Sequence, residues 1–309
     1  MLGGAGFQGR HLVERLLKEG AHVRVFDKAT CCPRYEDIET NRLEYISGNF
    51  ASIKTIEPLL KGIDVIFHLI STTLPKSSND DMVNDVVTNI IPTLYLLECA
   101  LKEKVKKIIY FSSGGTVYGI PRVIPTPEDH PNLPICSYGI HKIAIEHYLN
   151  LYFVLYGLDY RVMRVSNPYG IYQNSVRGQG AIPVFLRKLM QNDPIDIWGD
   201  GTVVRDYIHV DDIVDAALKL SDYRGSEKVF NIGSGNGVSL NELLAEIVSI
   251  SGQEAKVNYL SARKIDVPVS VLDISKASRE LDWRPQVSLR DGVSQLEKEF
   301  KKHIDRHVI

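Results

Sequence analysis

The chain has 309 residues, 44% of them apolar, and a formal net charge of −2. That is enough apolar material for one large or two modest domains, and the near-neutral charge argues against a nucleic-acid or acidic-membrane partner. No apolar run is long enough to span a bilayer, no leader pattern opens the chain, and the four cysteines show no zinc-site spacing, so a cytoplasmic protein with reduced thiols and no metal is expected.

The chain opens on Gly3-Gly4-Ala5-Gly6-Phe7-Gln8-Gly9, which runs directly into an amphipathic pattern from Arg10 to Leu17. Glycine admits positive φ and close approach of other atoms, and a helix N-terminus offers N–H groups and a positive dipole end to an anion. Together they suggest a pyrophosphate cradle, although a glycine-rich turn alone does not identify one. An apolar strand of about five or six residues should lead into such a turn, and here only Met1 and Leu2 do. The first strand is therefore expected to be truncated. A protein starting at Met1 should be poorly stable and bind dinucleotide weakly, and restoring the strand should improve both.

Ala21 to Phe26 alternates as a strand and ends at Asp27, 18 residues beyond Gly9. A carboxylate there accepts from adenosine ribose hydroxyls and repels a 2′-phosphate, which favours NAD over NADP. A strand at 42–46, then Asn49 in a turn, a helix at 52–60 and a buried strand at 64–69 follow. His68 in that strand reads as packed or hydrogen-bonded, not as a base. Ser71 to Asn79 reads as a polar loop, and 82–102 as one long helix that Pro92 should kink. Strands at 106–111 and 159–165 flank a helix at 137–156. This alternation predicts an α/β fold, a doubly wound parallel sheet. The second half is more broken: a helix from Pro183 to Met190, strands at 195–198 and 229–232, and helices at 240–251, 275–281 and from 288 on. It predicts a smaller, mixed C-terminal substrate domain. Residues 1–166 with 206–236 would form the dinucleotide-binding domain, and 167–205 with 237–309 the second.

Two segments could carry chemistry. Phe111 to Gly119 is hydroxyl-rich and ends a parallel strand, the edge where such sheets bind ligands. Tyr138 and Lys142 lie four apart on a helix and share a face. Tyrosine, with an ordinary pKa near 10, is a poor base at neutral pH, but a neighbouring ammonium stabilises its phenolate.

These pieces resemble the extended short-chain dehydrogenase/reductase family, and within it the nucleotide-sugar epimerases and dehydratases. The resemblance rests on Gly3-x-x-Gly6-x-x-Gly9, Asp27, Asn89, the 112–119 strand end, Tyr138-x-x-x-Lys142, Arg164 to Pro168, Val204 to Val210 and Arg263-x-x-Asp266. It implies a Rossmann domain holding NAD through Gly3, Gly6, Phe7, Gln8, Gly9, Asp27, Asn49, Asn89, Tyr138 and Lys142. It implies a UDP-sugar held by Asn167, Ala181, Trp198, Arg205, Arg263, Asp266 and Ser270, with Trp198 stacking on uracil and Arg205 and Arg263 clamping the pyrophosphate. Tyr138 and Lys142 become the catalytic pair, and paired helices including the Tyr138 helix would build a homodimer.

Two departures from the family pattern are informative. Gly114 stands where many such epimerases carry a Ser or Thr that bridges the tyrosine and the sugar, so Ser113 or Thr116 should supply the hydroxyl. Gly115 and Thr116 stand where the dehydratases and decarboxylases carry acids, which argues against elimination and decarboxylation. Ser270 replaces a bulky tyrosine of glucose-restricted enzymes and should admit an N-acetyl group. The reading that follows is 4-epimerisation of a UDP-hexose, UDP-glucose/UDP-galactose or also UDP-GlcNAc/UDP-GalNAc. The alternatives are a uronic-acid epimerase, a net oxidoreductase or a non-catalytic dinucleotide sensor.

Overall fold

The computed structural model describes residues 1–28, 33, 40–173, 180–262 and 267–305. The chain divides into two compact units. The first comprises residues 1–119, 131–165 and 214–230, and the second residues 120–130, 166–213 and 231–309.

The first unit is built on a parallel sheet. Helix α1 (Phe7–Lys18) leads to strand β1 (Val23–Asp27), which pairs in parallel with β2 (Leu43–Ser47). Helix α2 (Ile53–Leu59) precedes β3 (Val65–His68). Residues 1–3 join these strands. Leu2 bridges Phe26 on one side and His68 on the other, both in parallel. Its N–H donates to Phe67 O at 2.9 Å and its carbonyl accepts from Leu69 N at 3.0 Å. The 3%-exposed Leu2 side chain packs in the main apolar cluster with Phe26, Ile66 and Ile108.

The expected long helix is interrupted. It runs as α3 (Met82–Asp85), a π-helical turn (Val86–Ile90) and α4 (Ile91–Lys102), with Pro92 in the first turn of α4. Proline has no N–H for the helical ladder, and a π-turn absorbs the mismatch. Strand β4 (Lys107–Ser113) pairs with β3 and, over its full length, with β5 (Asp159–Val165), both in parallel. Between them runs α5 (Ser137–Tyr156), closed by Gly157 in the left-handed conformation. Residues 214–230 are tied back to the sheet by the buried Lys107, whose Nζ donates to the carbonyls of Ser221 at 2.8 Å and Tyr223 at 2.7 Å.

In the second unit, β6 (Asn167–Tyr169) precedes α6 (Ala181–Met190) and β7 (Ile195–Trp198). Strand β8 (Val204–His209) pairs with β6 and leads into α7 (Val210–Asp222) and β9 (Val229–Ile232), which for residues 214–230 belong to the first unit, where β9 lies beside β5. Back in the second unit, β10 (Gly237–Ser239) is antiparallel to β8. Helix α8 (Leu240–Ser251) starts at a capping box in which Ser239 and Glu242 satisfy each other's backbone N–H groups. Strand β11 (Val257–Leu260) pairs with β7 and β12 (Val269–Ser270) with β8. Helices α9 (Ser275–Leu281) and α10 (Leu289–Asp305) complete the unit. Its core gathers Ile182, Leu186, Ile195, Leu243 and Val293. Asp206 on β8 is fully buried and accepts from Ser166 Oγ, Ser234 N and Oγ, Gly235 N and Leu272 N. Burial pushes its carboxyl up, against the pull of those bonds.

Candidate functional site

The glycine turn has the shape its sequence suggests. Gly3 sits at φ +85°, a left-handed conformation, and a Cβ on Gly9 would lie 2.2 Å from Gly3 O. No side chain larger than hydrogen fits there, because a backbone carbonyl cannot move aside. Gly6 heads α1 and brings no capping side chain, so the first N–H groups of α1 remain to meet an anion. Asp27 closes β1 beside this turn, and its Oδ2 accepts from Ala5 N at 2.9 Å. Phe7 packs edge-on against His11. Gln8 Oε1 is buried and has no hydrogen-bond partner among the described residues. A dinucleotide's pyrophosphate and ribose fit this arrangement: a cradle that a Cβ would fill, a helix N-terminus and an unsatisfied buried acceptor. Asn49 organises the turn after β2 and accepts from Ala51 N at 3.0 Å.

The first turn of α5 is held from outside the helix. Asn79 Oδ1 accepts from Ser137 N at 2.9 Å and Ser78 Oγ from Tyr138 N at 3.0 Å. Lys142 is 2% exposed. Its Nζ donates to Phe111 O at 2.8 Å and lies 5.4 Å from the Tyr138 ring centroid. Burial brings the Lys142 ammonium down to about 7, with the charges of Glu146 and Asp85 opposing that fall. Burial pushes the Tyr138 phenol up to about 12, partly offset by a hydrogen bond with the Ser71 side chain. Ser113 ends β4 and its carbonyl accepts from Thr116 N at 3.2 Å, while Thr116 Oγ1 is buried without a partner among the described residues. A Cβ on Gly139 would come within 2.7 Å of Thr116 O, so α5 presses directly on this strand end.

Several residues here went unanticipated. Ser71, read as part of a polar loop, acts on the phenol to lower its pKa and donates to Thr73 O. Glu146 lies one further helical turn from Lys142. It accepts from the buried Arg164 at 2.7 Å and from Ser112 Oγ. The repeat Tyr138, Lys142, Glu146 is the signal that could have revealed it. Asp85 accepts from Thr73, Asn89, Ser137 and His141. Burial pushes its carboxyl up, but the bonds from Thr73, His141 and Ser137 outweigh this and leave it below its ordinary value. Asn89, assigned to the cofactor side, spends its amide on Thr72 and Asp85. His68 is packed, as expected, with Nε2 3.0 Å from Thr93 Oγ1.

The second unit carries the other predicted residues. Asn167 Nδ2 donates to Asp206 O at 3.0 Å. Arg205 Nη1 donates to the carbonyls of Val204 and Val267 at 2.8 and 2.7 Å. Ser270 is 8% exposed and lies in register with Arg205. Ala181 begins α6, and Trp198, 41% exposed, ends β7. Arg263 and Asp266 lie outside the described residues.

The sequence matches the model of the NAD dependent epimerase/dehydratase family over residues 1–233. The chain belongs to that family. It is 35% identical to the UDP-glucose 4-epimerase of Mycolicibacterium smegmatis, covering 97% of each chain. It is 33% identical to an Escherichia coli dTDP-4-dehydro-6-deoxyglucose reductase, covering 97% of this chain and 96% of that one. Among solved structures, it superposes on the Thermotoga maritima UDP-glucose 4-epimerase with UDP-glucose at a TM-score of 0.92 and 36% identity, covering 98% of both chains.

The Gly3–Gly9 contact generates a direct test. Gly9→Val should cost about 1–3 kcal/mol of stability through overpacking and should strip NAD from the protein. Bound dinucleotide is read by absorbance after purification, and an unchanged NAD content would contradict the cradle.

Proposed function

We propose that this chain is an NAD-dependent UDP-hexose 4-epimerase, with UDP-glucose and UDP-galactose as its epimer pair. The observation that carries this reading is the pairing of Tyr138 with the buried Lys142 on α5, in a chain that matches a UDP-glucose 4-epimerase along nearly its whole length. The first unit holds NAD, through the glycine turn, Asp27 and Lys142. The second holds the UDP-sugar, through Asn167, Ala181, Trp198, Arg205, Arg263, Asp266 and Ser270.

NAD held by the first unit would supply a reversible hydride acceptor for the sugar's C4. The chain's own part is proton handling and orientation. Tyr138 takes the proton of the sugar 4-OH and gives it back after the 4-keto sugar has turned over. A Lys142 ammonium at this site would favour the phenolate, against the burial that pushes the phenol up to about 12. Ser113 or Thr116 contacts the sugar beside Tyr138; the buried, unpartnered Thr116 Oγ1 favours Thr116. Arg205 and Arg263 hold the diphosphate while the hexose rotates, and the exposed Trp198 offers its ring for a base to stack on.

Ser270 carries the substrate range. Its small side chain leaves room at the sugar's 2-position, so UDP-GlcNAc is also turned over. A homodimer is favoured by one feature of the first unit. Val83, Val87 and Ile91 stand out along α3, the π-turn and α4, and Ile140, Leu151, Val154 and Leu155 stand out from α5, all exposed. A second copy of the chain would cover such a self-complementary apolar face.

Three outcomes test this. Tyr138→Phe should lower epimerisation by about 10²–10⁴-fold while the protein stays folded and keeps NAD; retained activity would sink the assignment. Ser270→Tyr should lower the UDP-GlcNAc to UDP-glucose turnover ratio by about tenfold or more, and an unchanged ratio would remove the size-gate role. Sedimentation should give twice the chain mass, with Val87→Asp shifting it to the monomer; a wild-type monomer at micromolar concentration would contradict the dimer.

A further inference from the structure

Asp85 is the most heavily engaged buried carboxylate of the first unit, and it has no role in the mechanism above. It is 0% exposed. It accepts from Ser137 Oγ at 2.7 Å, from His141 Nδ1 at 2.9 Å, from Asn89 Nδ2 at 3.0 Å and from Thr73 Oγ1. A carboxylate only accepts, so the neutral His141 must carry its proton on Nδ1. Ser137 and His141 bracket Tyr138 in the first turn of α5. The His141 ring meets the Tyr138 ring edge-on, with centroids 5.0 Å apart. Thr73 works on the other flank: its carbonyl accepts from Ser71 Oγ at 3.2 Å, and the Ser71 side chain acts on the Tyr138 phenol to lower its pKa. One carboxylate thus fixes both the helical turn that carries Tyr138 and the loop that carries its hydroxyl partner.

We propose that Asp85 is a positioning residue for Tyr138, acting through Ser137 and His141 on one side and through Thr73 and Ser71 on the other. Such an anchor has a physical purpose. Tyr138 must meet the sugar 4-OH in a near-attack geometry, and a misplacement of about 1 Å costs about 10²-fold in rate.

The inference rests on the epimerase reading, and the experiment separates the two. The NAD-holding enzyme is assayed with UDP-galactose as wild type, Tyr138→Phe, Asp85→Asn, Ser137→Ala, Ser71→Ala and the Asp85→Asn/Ser137→Ala double variant. Asp85→Asn should lower kcat by about 10- to 100-fold, with KM within about threefold and bound NAD unchanged. Ser137→Ala and Ser71→Ala, which delete a single hydroxyl each, should lower kcat by about three- to tenfold at unchanged KM. The double variant should match Asp85→Asn alone, because the two act as one unit. If Asp85→Asn does not fold, the two hydroxyl variants decide. Wild-type kcat in Asp85→Asn, or in both hydroxyl variants, overturns the positioning role while an inactive Tyr138→Phe leaves the epimerase reading standing. A wild type inactive on every UDP-hexose overturns that reading instead.

Discussion

A lysine ammonium cannot be buried without opposing charge, because its desolvation costs more than most single interactions return. Lys142 is buried beside Tyr138, and the packing around α5 answers that constraint. Glu146, one turn along the helix, and Asp85 both act to keep the ammonium charged. Glu146 in turn is neutralised by the buried Arg164, which also donates to Tyr118 at 3.0 Å. Two carboxylates thus face Lys142 and Arg164 in one interior, and for Lys142 they offset only part of the burial that brings its ammonium down to about 7. His141, between Lys142 and Asp85, is driven down to about 4 by burial and the Lys142 charge and stays neutral. Half-buried Tyr138 sits at the edge of this cluster, its ring centroid 5.4 Å from Lys142 Nζ.

The sheet sets where this cluster can form. Strands β4 and β5 pair along their whole length, and α5 packs so closely on the turn after β4 that a Cβ at position 139 would come within 2.7 Å of Thr116 O. Lys142 Nζ reaches the carbonyl of Phe111 on β4, and Arg164 reaches Glu146 from β5. The same strand direction that places Asp27 and the glycine turn at one end of the sheet places Ser113 and Tyr138 there too. This is the edge at which doubly wound sheets bind ligands.

Much of this was legible in the sequence, for physical reasons. The boundaries of α5, β5, β7, α8 and α9 followed from periodicity, and the glycine spacing announced a turn that the Gly3–Gly9 approach makes obligatory. Tyr138 and Lys142 were visible because four residues of a helix bring side chains onto one face. Asp85 was not, because its partners Ser137 and His141 lie 52 and 56 residues further along the chain. Asp206 was equally hidden, with acceptor bonds from segments 28 and 66 residues away. Local pattern shows which residues share a face, whereas buried carboxylates are placed by the meeting of distant segments. The helix at 82–102 shows the intermediate case: Pro92 announced a break, and only the fold turned it into a π-turn that carries Asn89 toward Asp85.

The central claim is that this chain removes and returns one hydride at C4 without net redox change. The most direct measurement follows UDP-galactose deuterated at C4 through the reaction by mass spectrometry and NMR, with absorbance read at the reduced-nicotinamide band. The account predicts UDP-glucose that keeps deuterium at C4, with no NADH accumulating. Loss of the label from the product, or NADH formed in step with substrate consumed, would contradict it and point to a net oxidoreductase.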